Sequence, residues 1–182
     1  MKSRTPSFVI ELGLKTGEDQ ESALETYFSD ARQLFNAVLG TAKKRVRAMK
    51  STEAWKLTAA MPKGKDRDKR FKEIQKSAGL TEYALHDVVK EHRAKGGFTK
   101  RIGINEAQKI ATRVWQGIER RLLHQGGQPW FKSAKRGLHS VEGKSNKAGL
   151  RWKAKTWTLE VKGRTAGLPA AKIPSASRAF LK

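Results

Sequence analysis

The chain of 182 residues has no cysteine. Disulfides, thiolate zinc sites and cysteine nucleophiles are therefore excluded. No apolar run approaches the roughly 20 residues needed to cross a bilayer. The basic start, Met1 to Pro6, leads into an alternating segment that contains Glu11, which is not the pattern of a signal peptide. The cytoplasm or nucleoid is the expected place. Acid is scarce, and no aspartate follows Asp87. Asp66 and Asp68 are the only close aspartate pair, and they stand among Lys63, Lys65, Arg67, Lys69 and Arg70. Ion pairing on a solvated stretch explains them better than a magnesium site. The four histidines, His86, His92, His124 and His139, form no HExxH pattern. His86 and His92 are spaced about 600° apart on a helix, poorly aligned for one metal. No phosphate-loop motif is present. No catalytic residue, metal or cofactor is expected, and the chain is not expected to be an enzyme by itself.

What is there is positive charge. Lys and Arg number 39 against 17 Asp and Glu, a net charge of +22. A compact protein with that excess repels itself, and a polyanion relieves the repulsion. Nucleic acid is the usual polyanion. Residues 132–182 hold thirteen Lys and Arg against two Glu, so basic density peaks towards the end of the chain.

The apolar pattern divides the chain. SFVIELGLK (7–15) alternates as a half-buried strand does. From Glu18 to Met49, Leu24, Tyr27, Phe28, Ala31, Leu34, Phe35 and Val38 recur at helical spacing, and Gly40 is a place for a bend. MPKGKDRDKRFKE (61–73) reads as a mobile, solvated connection, with a helix resuming near Asp68. Thr81 caps a helix running to Arg93, and Asn105 with Gln108 resembles a capping box opening another. That helix carries the stripe Ile110, Ala111, Val114, Trp115, Ile118 and Leu122, which makes Trp115 core. Beyond Phe131 the chain is rich in Gly, Lys, Ser and Trp, with strands expected at 150–152 and 156–161.

Binding chemistry gathers in two basic, aromatic stretches. PWFKSAKRG places Trp130 and Phe131 beside Lys132, Lys135 and Arg136. LRWKAKTW places Trp152 and Trp157 among Arg151, Lys153 and Lys155. Cations hold phosphates, and rings stack on unpaired bases or close a core beneath. Taken singly, each tryptophan is more simply read as core. Few acids stand near these cations in sequence, which favours phosphate as their partner.

The order of the pieces resembles the N-terminal half of TnpB, the transposon-associated RNA-guided nuclease, and of the miniature type V CRISPR effectors. Arg32, Phe35 and Asn36 match one family motif. Pro129, Phe131, Lys132 and Ser140 match a second, and Leu168 and Pro169 stand where a third is expected. The resemblance implies an α+β fold, a small β-barrel (wedge or OB-like) interrupted by a helical insertion. Residues 1–17 would form its first strand, 18–128 the helical recognition insertion, and 129–182 the remaining basic strands. It also implies a structured guide or scaffold RNA and a duplex DNA target as partners. The residues expected to meet nucleic acid are Arg32, Asn36, Lys43, Lys44, Arg45, Arg47, Trp130, Lys132, Lys135, Arg136, Arg151, Lys153, Lys155 and Arg164. The family's RuvC-like nuclease motifs have no match here, so a separate RuvC-like subunit, a repurposed binder or a fragment would account for the chain. A general RNA- or DNA-binding protein of ribosomal or regulatory type is the alternative.

Overall fold

The structure, a computed structural model, describes residues 13–123, 125–145, 148–153, 155, 158–161 and 168–172. Its axis is helix α1 (Glu18–Ser51), about 51 Å long at 1.5 Å per residue. Glu18, Asp19 and Glu21 lie in the first turn, where negative charge complements the helix dipole. Gln20 accepts a hydrogen bond from the Gly17 N–H at 3.0 Å. The helix runs through Gly40 without a break.

A helical hairpin follows, α2 (Glu53–Ala60) and α3 (Lys65–Ser77). The helix expected to resume near Asp68 begins three residues earlier, at Lys65, inside the stretch read as a solvated connection, and none of its residues is fully buried. Trp55 and Phe71 hold the hairpin together with ring centroids 4.6 Å apart. Helix α4 (Glu82–Ala94) begins at Thr81, whose hydroxyl accepts from the Ala84 N–H. After a 3-10 turn (Gly97–Arg101), helix α5 (Ile104–Leu122) starts two residues earlier than the Asn105 pattern suggests, with Gly103 in the cap position.

The core lies where α1, α4 and α5 meet. Leu34, Val38 and Leu39 of α1 close against Leu85 and Val89 of α4 and Ile110 and Val114 of α5. Each such side chain contributes about 1.5–3 kcal/mol by leaving water. Asp30, buried on α1, receives both Nε and Nη2 of Arg101 at 2.6 and 2.8 Å, which fixes the 3-10 turn against the long helix.

The expected α+β barrel is not what forms. Helix dominates, and the described strands make one open antiparallel sheet in the order β1 (Leu150–Lys153), β2 (Thr158–Val161), β3 (Leu168–Lys172). Leu150 pairs with Val161 and Lys153 with Thr158, and a bulge between Leu159 and Val161 interrupts the β2–β3 ladder. The described strands are three, of four or five residues each, whereas closing a barrel takes more strands and a matched stagger. Most of the expected first strand, and Arg164, lie outside the described residues.

The sheet meets the helical body over a buried carboxylate. Glu106, in the first turn of α5, is fully buried, and among the described residues neither carboxylate oxygen has a hydrogen-bond partner. Gly149 passes so close that a β-carbon there would fall 2.1 Å from Oε1, and its φ of +90° lies in the region that favours glycine. Burial raises the Glu106 pKa above the usual carboxyl range, outweighing its own backbone N–H and the charge of Arg93. Burial, with Glu106 second, likewise raises the phenol of Tyr27.

Candidate nucleic-acid interface

Lys43, Arg47 and Lys50 follow one another at four- and three-residue steps, so they share one stripe of α1. Across from them, α5 ends with Ile118, Arg121 and Leu122. Between the two helices lies a cavity of about 270 Å³, with Val46, Ile118, Leu122 and Pro129 as apolar lining. Its rim carries Lys43, Arg47, Lys50 and Arg121, and among the described residues no acid lines it. Four unit charges around so small a space make a local positive field.

The segment after α5 borders this cavity and is held at both ends. Pro129 lies over Gly117 of α5, 3.4 Å from where a β-carbon would stand. Three residues on, Asn36 grips the backbone of Lys132 with both halves of its amide. Its Nδ2 donates to the Lys132 carbonyl at 2.8 Å, and its Oδ1 accepts from the Lys132 N–H at 2.8 Å. Arg32 reaches the same carbonyl at 3.5 Å. Between these anchors, Trp130 is 75% exposed and Phe131 51% exposed. Lys43 stands at both rings, its Nζ 4.5 Å from the Phe131 centroid and 5.7 Å from that of Trp130.

These placements sort the residues expected from sequence. Lys43 and Arg47 line the cavity, and Lys43 also stands at the Trp130 and Phe131 rings. Lys44 is exposed on the same helix, and Lys135 and Arg136 are exposed in the turn that follows Lys132. Lys132 is half-buried with its Nζ 6.0 Å from the Phe35 ring. Arg32 and Asn36 face the Lys132 backbone rather than solvent, and Arg45 donates to the Gly79 carbonyl at 2.8 Å. In the sheet, Lys153 forms an ion pair with Glu160, and Arg151 stands opposite that same glutamate. Lys155 is exposed beyond the end of β1. One of the few acids of the basic tail therefore sits where it neutralises the strand cations, a pairing set by the β1–β2 register. Trp130, which taken singly is read as core, is instead exposed, and Phe131 beside it is half outside. Lys50 and Arg121 were missed; their register with Lys43 and Ile118 was the available signal.

Two other cavities differ in chemistry. One, of about 650 Å³ between α4 and α5, is faced by Glu82 and Asp87 as well as Lys109 and Lys144. There Thr112 donates to Glu82 at 2.6 Å and lies 3.0 Å from His86 Nε2. The other, of about 450 Å³, is mainly apolar and lies among α1, α2 and α3. Among the described residues no group of three His, Asp or Glu is placed to hold a metal, and no helix is long and apolar enough to cross a membrane. Compared with known protein families, curated proteins and solved structures, the chain matches none.

Proposed function

We propose that this chain binds RNA through the basic cleft between α1 and α5 and the aromatic segment beside it. One observation carries the reading: four cations rim one small cavity that no acid among the described residues lines, next to two aromatic rings that face solvent. Phosphates suit the first feature, and unpaired bases suit the second. The test is a salt titration of RNA affinity. Removing Arg47 and Lys50 together should flatten the slope of log affinity against log salt by roughly 1.4, at about 0.7 per phosphate contact on a single strand. An unchanged slope places the binding surface elsewhere.

A narrower reading is favoured by one contact. Asn36 and Lys132 belong to the two separate motifs that resemble TnpB-type proteins, and they are hydrogen-bonded to each other. On this reading the chain is a nuclease-less module that holds a guide or scaffold RNA and its target heteroduplex, with a RuvC-like nuclease on another chain. Pairing would then read the target while the protein neutralises the backbone. Sequencing the RNA that co-purifies at moderate salt tests it. One discrete structured RNA is expected; a random mixture supports a general RNA- or DNA-binding protein of ribosomal or regulatory type instead.

A further inference from the structure

The geometry points to a subsite for a single unpaired nucleotide at Trp130, an inference that rests on the RNA-binding reading above. A tryptophan turned three-quarters into solvent is ordinarily disfavoured, because the indole loses more by exposure than almost any other side chain. Here the exposure is imposed. Pro129 seated on Gly117 and Lys132 clamped by Asn36 fix the backbone on either side, so Trp130 and Phe131 are presented rather than left to collapse. A ring held in place is a better platform than a mobile one, since less side-chain freedom is lost when a ligand stacks on it.

Size and charge limit what fits. At about 270 Å³ the adjoining cavity is smaller than the roughly 300–1,000 Å³ of pockets that enclose a drug-sized ligand. It admits part of one nucleotide and not a double helix. Its apolar floor, Val46, Leu122 and Pro129, accepts a sugar edge or base edge, and its rim of Lys43, Arg47 and Arg121 accepts the phosphates on either side. Lys43 already lies at the rings, so a base on Trp130 brings its own phosphate within reach of that ammonium. The ligand is thus RNA with a splayed or single-stranded nucleotide, such as a loop, bulge or overhang. A continuous duplex would meet only the cations.

The experiment compares the wild-type chain with Trp130→Ala and Trp130→Phe on three RNAs. They are a blunt duplex, the same duplex with a short single-stranded overhang, and that overhang made abasic so that it keeps its phosphates and lacks its bases. Trp130→Ala should bind the overhang RNA about tenfold more weakly or worse. Its affinity for the blunt and abasic RNAs, its melting temperature and its salt slope should match wild type. Trp130→Phe should restore most of the loss, because a ring still stacks. Equal affinity of wild type and Trp130→Ala for the overhang RNA overturns the subsite, as does an equal loss on all three. Wild-type protein that binds none of the three at low salt overturns the RNA reading itself.

Discussion

Replacing Asn36 by Ala separates two accounts of one residue. The sequence marks Asn36 as a nucleic-acid contact, whereas the structure engages both ends of its amide with the Lys132 backbone at 2.8 Å. Each such bond contributes about 0.5–1.5 kcal/mol net, and its loss leaves a partly buried N–H or C=O short of a partner. Arg32, at 3.5 Å from the same carbonyl, recovers little. The two bonds together amount to roughly 1–3 kcal/mol. For a chain of this size that lowers the melting temperature by roughly 2–4 °C per kcal/mol, so by some 4–8 °C at the middle of the range. Circular dichroism melts of wild type, Asn36→Ala and Asn36→Asp measure it. The aspartate variant keeps an acceptor for the Lys132 N–H but sets a carboxylate oxygen against the Lys132 carbonyl, so it should melt at least as low. RNA affinity should fall as the aromatic segment loosens, with the salt slope unchanged, because Asn36 neutralises no phosphate. An Asn36→Ala protein that melts with wild type yet binds RNA poorly would refute the clamp and restore the direct contact.

Three further outcomes follow from buried and half-buried groups. Glu106 has its pKa raised by burial, so the folded state holds that proton more tightly than the unfolded chain. The stability it contributes is present below the ordinary carboxyl pKa of 4.5 and declines as pH rises through the folded value. Glu106→Gln should therefore flatten the fall in stability above that pH in urea titrations and raise stability near neutrality; a parallel curve would contradict this. Gly149→Ala forces a β-carbon onto that carboxylate at a φ of +90°, and should destabilise by more than the ~1 kcal/mol of a simple backbone penalty. Leu34→Ala, at the centre of the helical core, should cost about 2–5 kcal/mol, while Phe131→Ala should fall well short of the ~3–5 kcal/mol of a core phenylalanine because half of its ring is already in water.

The helices were legible in advance because their signal is local. Leu34, Phe35 and Val38, or Ile110, Val114 and Ile118, repeat at the period of the helix that buries them, and Thr81 carries its own cap. The excess of positive charge is likewise a property of composition, independent of fold. Helix α3 was less legible, since a helix that packs through Phe71 and Ile74 alone leaves only a faint stripe in a run of charges. Whether short alternating strands close into a barrel depends on edges finding partners far along the chain, and no residue pattern encodes that. The same holds for the cleft. Spacing alone could not say that Asn36 would hold Lys132, that Glu160 would take Lys153, or that Trp130 would be turned outward while Lys43, Arg47, Lys50 and Arg121 gathered round one hollow. The Lys153–Glu160 pair forms only when β1 and β2 pair, and the others join residues distant in sequence, which meet only once α1 and α5 have packed and brought their faces together.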